Sequence, residues 1–103
     1  MKNVADFPLP PDMAVDLIRR LSAEGKVRLP VVSGGQWERL VVSRQVERCL
    51  VDGTLTGGPQ RDEYGNYRYE LRRLSAGVAV VLQVVLFKEG GDWVARVLEV
   101  GHE

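Results

Sequence analysis

Histidine is the side chain best suited to acid–base work near neutral pH, and this chain has one, His102, next to its final residue. That position reads as a solvated tail. The sole cysteine, Cys49, needs a partner base to act as a nucleophile, and none stands near it in sequence. At helical spacing from Val46 and Leu50 it reads as a small buried apolar residue. The acidic pair Asp62-Glu63 could serve as a general base but sits in a polar stretch that reads as a turn. No His, Cys and carboxylate cluster has metal-ligand spacing, so neither a metal nor another cofactor is expected. The pairs Gly34-Gly35, Gly57-Gly58 and Gly90-Gly91 are isolated and read as turns rather than phosphate cradles.

The most suggestive run is Tyr67-Arg68-Tyr69-Glu70-Leu71-Arg72-Arg73. A strand there turns Arg68 and Arg72 to one face, and helical spacing puts Arg44 and Arg48 together on a preceding helix. Brought together, these four arginines would form a phosphate-binding surface, with Tyr64 or Tyr67 stacking on a base. Guanidinium–phosphate bonds are charge-assisted, so RNA hydrolysis without histidine could rest on arginine electrostatics. The plainer reading is a solvent face neutralised by Glu47 and Glu70, with the tyrosines in the core. A third cluster, Trp37, Leu40 and Val41, is apolar and offers a protein-contact patch.

These residues need a scaffold, and composition indicates its kind. The 103 residues fit one domain; 45% are hydrophobic and 27% charged, an ordinary globular balance. Valine occurs 17 times, which favours strands. The 14 basic and 14 acidic groups cancel, which argues against a uniformly basic nucleic-acid binder or a polybasic membrane-surface protein. Eleven of the basic residues are Arg and 3 are Lys, a bias toward the forked guanidinium. Residues 1–11 are proline-rich, lack the apolar segment of a signal peptide, and read as an extended lead-in to a domain over 12–103. With a single cysteine and no membrane-length apolar run, a cytoplasmic protein is expected.

Met13, Ala14, Leu17, Ile18 and Leu21 predict a first helix opening near Asp12 and stopping at Gly25. Lys26–Val32 reads as a short extended piece that Pro30 confines to an edge or loop. Gln36–Val42 is ambiguous, and Ser43 reads as the N-cap of a second helix ending at Gly53. Beyond it come four strands: Thr54–Thr56, Asn66–Leu74, Val78–Phe87 and Trp93–Val100. Val78–Phe87 is so apolar that it reads as covered on both faces. The expected class is α+β, two helices followed by a curved antiparallel sheet of about four strands.

Asp16-Leu17-Ile18-Arg19-Arg20, Val42-Ser43, Gly53-Thr54-Leu55, Gly58-Pro59, Asp62, Gly65-Asn66-Tyr67-Arg68 and Ala76-Gly77 form a pattern spanning Ala14 to Val100. That pattern resembles a bacterial family of small proteins grouped with RelE-, BrnT- and MqsR-like toxins. The resemblance implies helices on a curved antiparallel sheet, cleavage of messenger RNA and pairing with an antitoxin. Its signature before the second helix, a His-Ala-Arg-x-Arg-Met-x-x-Arg-Gly-Ile-[S/T] run, is degraded here. Val32 falls where the His should stand, Trp37 replaces the Met, Leu40 takes an Arg position, and only Val42 and Ser43 match. The expectation is therefore a toxin-like fold used mainly as a non-catalytic binding module, contacting a protein through Trp37, Leu40 and Val41. The alternative is an endoribonuclease-type toxin using Arg44, Arg48, Tyr67, Arg68 and Arg72. The partners implied are an antitoxin or other protein, RNA, or a second copy of the chain, and no membrane.

Overall fold

The computed structural model describes residues 9–30 and 34–103. Its elements run α1 (Pro11–Ala23), β1 (Val27–Arg28), α2 (Gln36–Asp52), β2 (Thr54–Arg61), β3 (Tyr67–Ser75), β4 (Val78–Glu89) and β5 (Asp92–His102). The class is α+β, as expected, but the sheet has five strands in the order β1-β5-β4-β3-β2 and is mixed. The fifth strand is the two-residue β1, which lies parallel to β5 with Val27 opposite Ala95 and Arg28 opposite Arg96. The other pairings are antiparallel.

Helix α1 begins at Pro11, one residue before the expected start, because proline suits a first helical position that has no N–H to satisfy. It ends as the sequence predicts. Gly25 takes φ 73°, and Lys26 and Gly25 N–H donate to the carbonyls of Leu21 (2.8 Å) and Ser22 (3.2 Å), closing the last turn. Helix α2 departs from expectation. It runs without a break from Gln36, so Ser43 lies inside the helix and caps nothing. Its true start is at Gly35, whose N–H donates to the Glu38 carboxylate. Gly34 and Gly35 are the only helix breakers in this stretch, and nothing between Gln36 and Asp52 interrupts propagation.

Strand β2 is also longer than its sequence indicates. It continues through Gly57-Gly58-Pro59 to Arg61 because it is an edge strand, where a missing N–H and local register shifts are tolerated. Gly58 is required there: with φ +93°, a Cβ on it would lie 2.4 Å from the Arg68 carbonyl oxygen. The β3–β4 and β4–β5 links are tight hairpins whose central pairs, Ala76-Gly77 and Gly90-Gly91, all have positive φ.

Both helices lie on one face of the sheet. Ala14, Leu17, Ile18 and Leu21 of α1 and Val46, Cys49 and Leu50 of α2 pack with Tyr69, Leu71, Val80, Leu82, Val84, Leu86, Ala95 and Val97. Alternation in β3 therefore reads correctly, with Tyr69 and Leu71 inward and Arg68, Glu70 and Arg72 on the other face. The Tyr69 hydroxyl donates to the Leu9 carbonyl at 2.9 Å, tying the segment before α1 to the sheet. The expectation that β4 is covered on both faces needs correction. Among the described residues no helix lies on the side of Val81 and Val85, which are nonetheless buried, with Arg72 and Arg68 opposite them on β3.

Leu82 lies at the centre of the core, fully buried. Replacing it with Ala is expected to cost about 2–5 kcal/mol through lost apolar burial and a residual cavity. A chemical-denaturation midpoint compared with the parent protein measures this.

Candidate functional site

The helix-free face of the sheet is built by strand register. Gln60 of β2 lies opposite Arg68 of β3, Arg68 opposite Val85 of β4, Val85 opposite Arg96 of β5, and Arg96 opposite Arg28 of β1. A single lateral row thus carries three arginines across all five strands. Neighbouring strands are about 4.8 Å apart, so the Arg68 and Arg96 backbones are separated by roughly 10 Å. Phe87, two residues along β4 from Val85, has the guanidinium carbons of both Arg28 and Arg96 at 5.8 Å from its ring centroid. Arg28 also pairs with Glu89.

A groove of about 320 Å³ runs over this row, between Arg68, Val85, Phe87, Arg96 and Leu98 on the sheet and Asp62, Glu63, Tyr64 and Asn66 on the β2–β3 turn. Leu98 reaches its lip through the irregularity in β5 between Val97 and Glu99. The Asp62 carboxylate accepts from the backbone N–H of Tyr64 (2.9 Å) and of Asn66 (2.8 Å), so it holds the turn. Tyr64 stands 79% exposed at the rim. The guanidinium of Arg68 donates to Gln60 Oε1 at 3.1 Å, while its buried Nε has no hydrogen-bond partner among the described residues.

Beside this groove the face turns acidic. Glu70 accepts from Thr56 Oγ1 at 2.7 Å and from Gln83 Nε2 at 2.9 Å. These bonds, led by that from Thr56 and aided by the charge of Arg72, hold its carboxyl below the ordinary value despite partial desolvation. Arg72 is held by Glu103 at 2.7 Å. Tyr67, by contrast, shares the inward side of β3 with Tyr69 and Leu71 and packs against the core, with the Arg61 guanidinium 5.9 Å from its ring centroid.

The four-arginine surface expected from sequence does not assemble. Arg68 and Arg72 lie on the helix-free face, while Arg44 and Arg48 are on α2, which packs against the opposite face. An alternating strand has two faces, and the inward Tyr69 and Leu71 fix which one the arginines take. Arg28, Phe87 and Arg96 were missed by the sequence reading. The readable signal was the alternation Val94-Ala95-Arg96-Val97; nothing local places Arg28 beside it, because their pairing is a long-range parallel contact.

Three contacts show how α2 crosses the sheet. Asp52 Oδ1 meets Arg73 Nε of β3 at 2.6 Å, Cys49 Sγ lies 3.8 Å from the Val80 carbonyl oxygen of β4, and Gln45 Oε1 meets His102 Nε2 of β5 at 2.8 Å. Seven residues of helix rise about 10 Å, matching two inter-strand spacings. The helix therefore runs across the strands and leaves the sheet at β5. Its first two turns, residues 36–41, are exposed throughout, with Trp37 71% accessible. His102 accordingly lies within a strand and is hydrogen-bonded, on the helical side and away from the groove. Val32, where the toxin signature would place its histidine, is outside the described residues. Among those described, no three His, Cys, Asp or Glu residues stand together to hold a metal ion, and no helix is long and apolar enough to cross a membrane.

No family model matches the chain, and neither a curated protein nor a solved structure matches it significantly.

Cys49 is fully buried, and desolvation outweighs the opposing charge of Arg73 to raise its pKa from 9.0 to about 11. A thiol whose folded pKa exceeds its unfolded one favours folding while it is protonated. That contribution is complete below pH 9 and is lost as pH rises toward about 11. Iodoacetamide at pH 8 is expected to leave Cys49 unmodified in the native protein and to alkylate it in urea, as read by mass spectrometry.

Proposed function

We propose that this chain is a non-catalytic binding module on a toxin-like α+β fold, and that it contacts a protein partner through the outward side of α2. The observation that supports this reading most directly is Trp37, 71% exposed, with Leu40 and Val41 beside it on the side of the helix turned away from the core. Tryptophan exposed beside other apolar residues is a frequent anchor of protein interfaces. A non-catalytic role agrees with the lone histidine engaged by Gln45 and the lone cysteine buried and protonated. Because Trp37 supports no core packing, Trp37→Ala is expected to shift stability by no more than about 0.5 kcal/mol. The same variant is expected to lose the partner that co-purifies with the parent chain, or to change its oligomeric state. Unchanged partners and unchanged sedimentation in a folded variant would refute the patch.

A second reading, an RNA-directed toxin, is favoured by the row Arg68, Arg96 and Arg28 on the helix-free face, flanked by Phe87 and Tyr64. Guanidiniums spaced across strands beside aromatic rings suit a single-stranded phosphodiester chain. Under this reading Arg68 and Arg72 remain candidates, while Tyr67, packed against the core on the helix-covered face, and Arg44 and Arg48 on α2 belong to other surfaces. The expected outcome is growth arrest on induction, with RNA cleavage lost in Arg68→Ala. Intact RNA at high protein concentration would exclude it.

A further inference from the structure

The sequence of α2 places apolar residues on two opposite sides of one helix. Val42, Val46, Cys49 and Leu50 turn toward the sheet. At about 100° per residue, Trp37, Leu40, Val41, Arg44, Arg48 and Val51 fall within a single stripe on the far side. Every member of that stripe is exposed, and Val51 is 56% accessible. A helix that needed only its own core would carry polar residues there.

The charges in the stripe are all of one sign. Arg44 and Arg48 form no ion pair, hydrogen bond or ring contact among the described residues, unlike Arg28, Arg72 and Arg73, each of which has a carboxylate partner. Neither carboxylate near them on the helix, Asp52 or Glu47, is bridged to them. Asp52, four residues after Arg48, is held by Arg73 at 2.6 Å. Glu47 makes no bridge to either arginine.

We infer that the outward stripe of α2 docks an acidic amphipathic helix of another protein, its apolar side covering Trp37, Leu40 and Val41 and its carboxylates pairing with Arg44 and Arg48. This deepens the binding-module reading and rests on it. The stripe runs the length of a helix of 17 residues, about 25 Å, which a partner helix of four to five turns can follow. A second copy of the chain is the poorer complement. It would bring the same pair of arginines at the centre of the stripe, with Glu47 and the Arg73-held Asp52 only at its borders, and like charges in a contact are costly.

The test uses the full chain and two synthetic helical peptides of 17 residues sharing one leucine stripe, flanked by glutamates in one and lysines in the other. Binding is read as anisotropy of a fluorescent label on the peptide, at low and high salt. The glutamate peptide is expected to bind at least about 10-fold more tightly than the lysine peptide, with the difference shrinking at high salt. Trp37→Ala is expected to abolish binding, and the paired change Arg44→Glu with Arg48→Glu to reverse the preference. Unchanged circular dichroism establishes that these exposed-site variants remain folded. Equal binding of both peptides, or of neither, overturns the inference. If the chain instead sediments as a dimer that Trp37→Ala dissociates, the acidic partner is overturned while the interaction reading stands. If anionic phospholipid vesicles, rather than either peptide, capture the chain through Trp37, both are overturned.

Discussion

The constraint on which the rest depends is that β4 is apolar on both faces while helices cover only one. Val80, Leu82, Val84 and Leu86 find partners in α1 and α2, but Val81 and Val85 do not. Their neighbours on that face include side chains long enough to lie over them and still keep a polar end in water. Arginine is such a side chain, since its methylene stem covers apolar surface while the guanidinium stays hydrated. Register provides it: Arg72 lies opposite Val81, and Arg68 and Arg96 lie on either side of Val85. The cationic row of the open face is thus first a solution to a packing problem. Its value as a binding surface follows from the same geometry.

The direction of α2 is the second consequence. Cys49 and Leu50 must reach the centre of the sheet, and the Arg73–Asp52 and His102–Gln45 contacts fix the helix across the strands at either side of that point. A helix of 17 residues set this way is longer than the three strands it crosses. The surplus falls at its N-terminal end, and the apolar residues there have no sheet to meet. An exposed Trp37 is therefore not a packing failure but the product of a helix that begins at Gly35 rather than Ser43.

Much of this was legible in the sequence, for physical reasons that can be named. Helix α1, the alternation of β3 and the two glycine-containing hairpins are local patterns, and local chemistry sets them. Gly25 stops α1 because a positive φ is needed there, and Tyr69 and Leu71 face inward because a strand has period two. What could not be read depends on contacts distant in sequence. Nothing in Val27-Arg28 announces a parallel pairing with Ala95-Arg96, so the fifth strand and the site it completes were hidden. The start of α2 was obscured differently: Ser43 is a good cap, but a cap acts only where the chain upstream is not already helical. Gly35, with Glu38, had capped the helix eight residues earlier.

The two candidate surfaces differ in how far their charges are already satisfied within the chain. On the open face Arg68 donates to Gln60, Arg28 pairs with Glu89, Arg72 with Glu103, and Arg96 rests over Phe87. A ligand there must replace existing contacts, and it approaches a face on which Glu70 is held as a carboxylate. On α2 the arginines have no partner among the described residues, and the apolar groups beside them are already exposed. Binding there displaces only water, so its apolar burial is gained without breaking any internal ion pair. Exposed ion pairs are individually weak, which keeps the open face available to a strongly anionic chain. The balance nevertheless favours α2, where a partner's carboxylates could pair with Arg44 and Arg48 without displacing an ion pair.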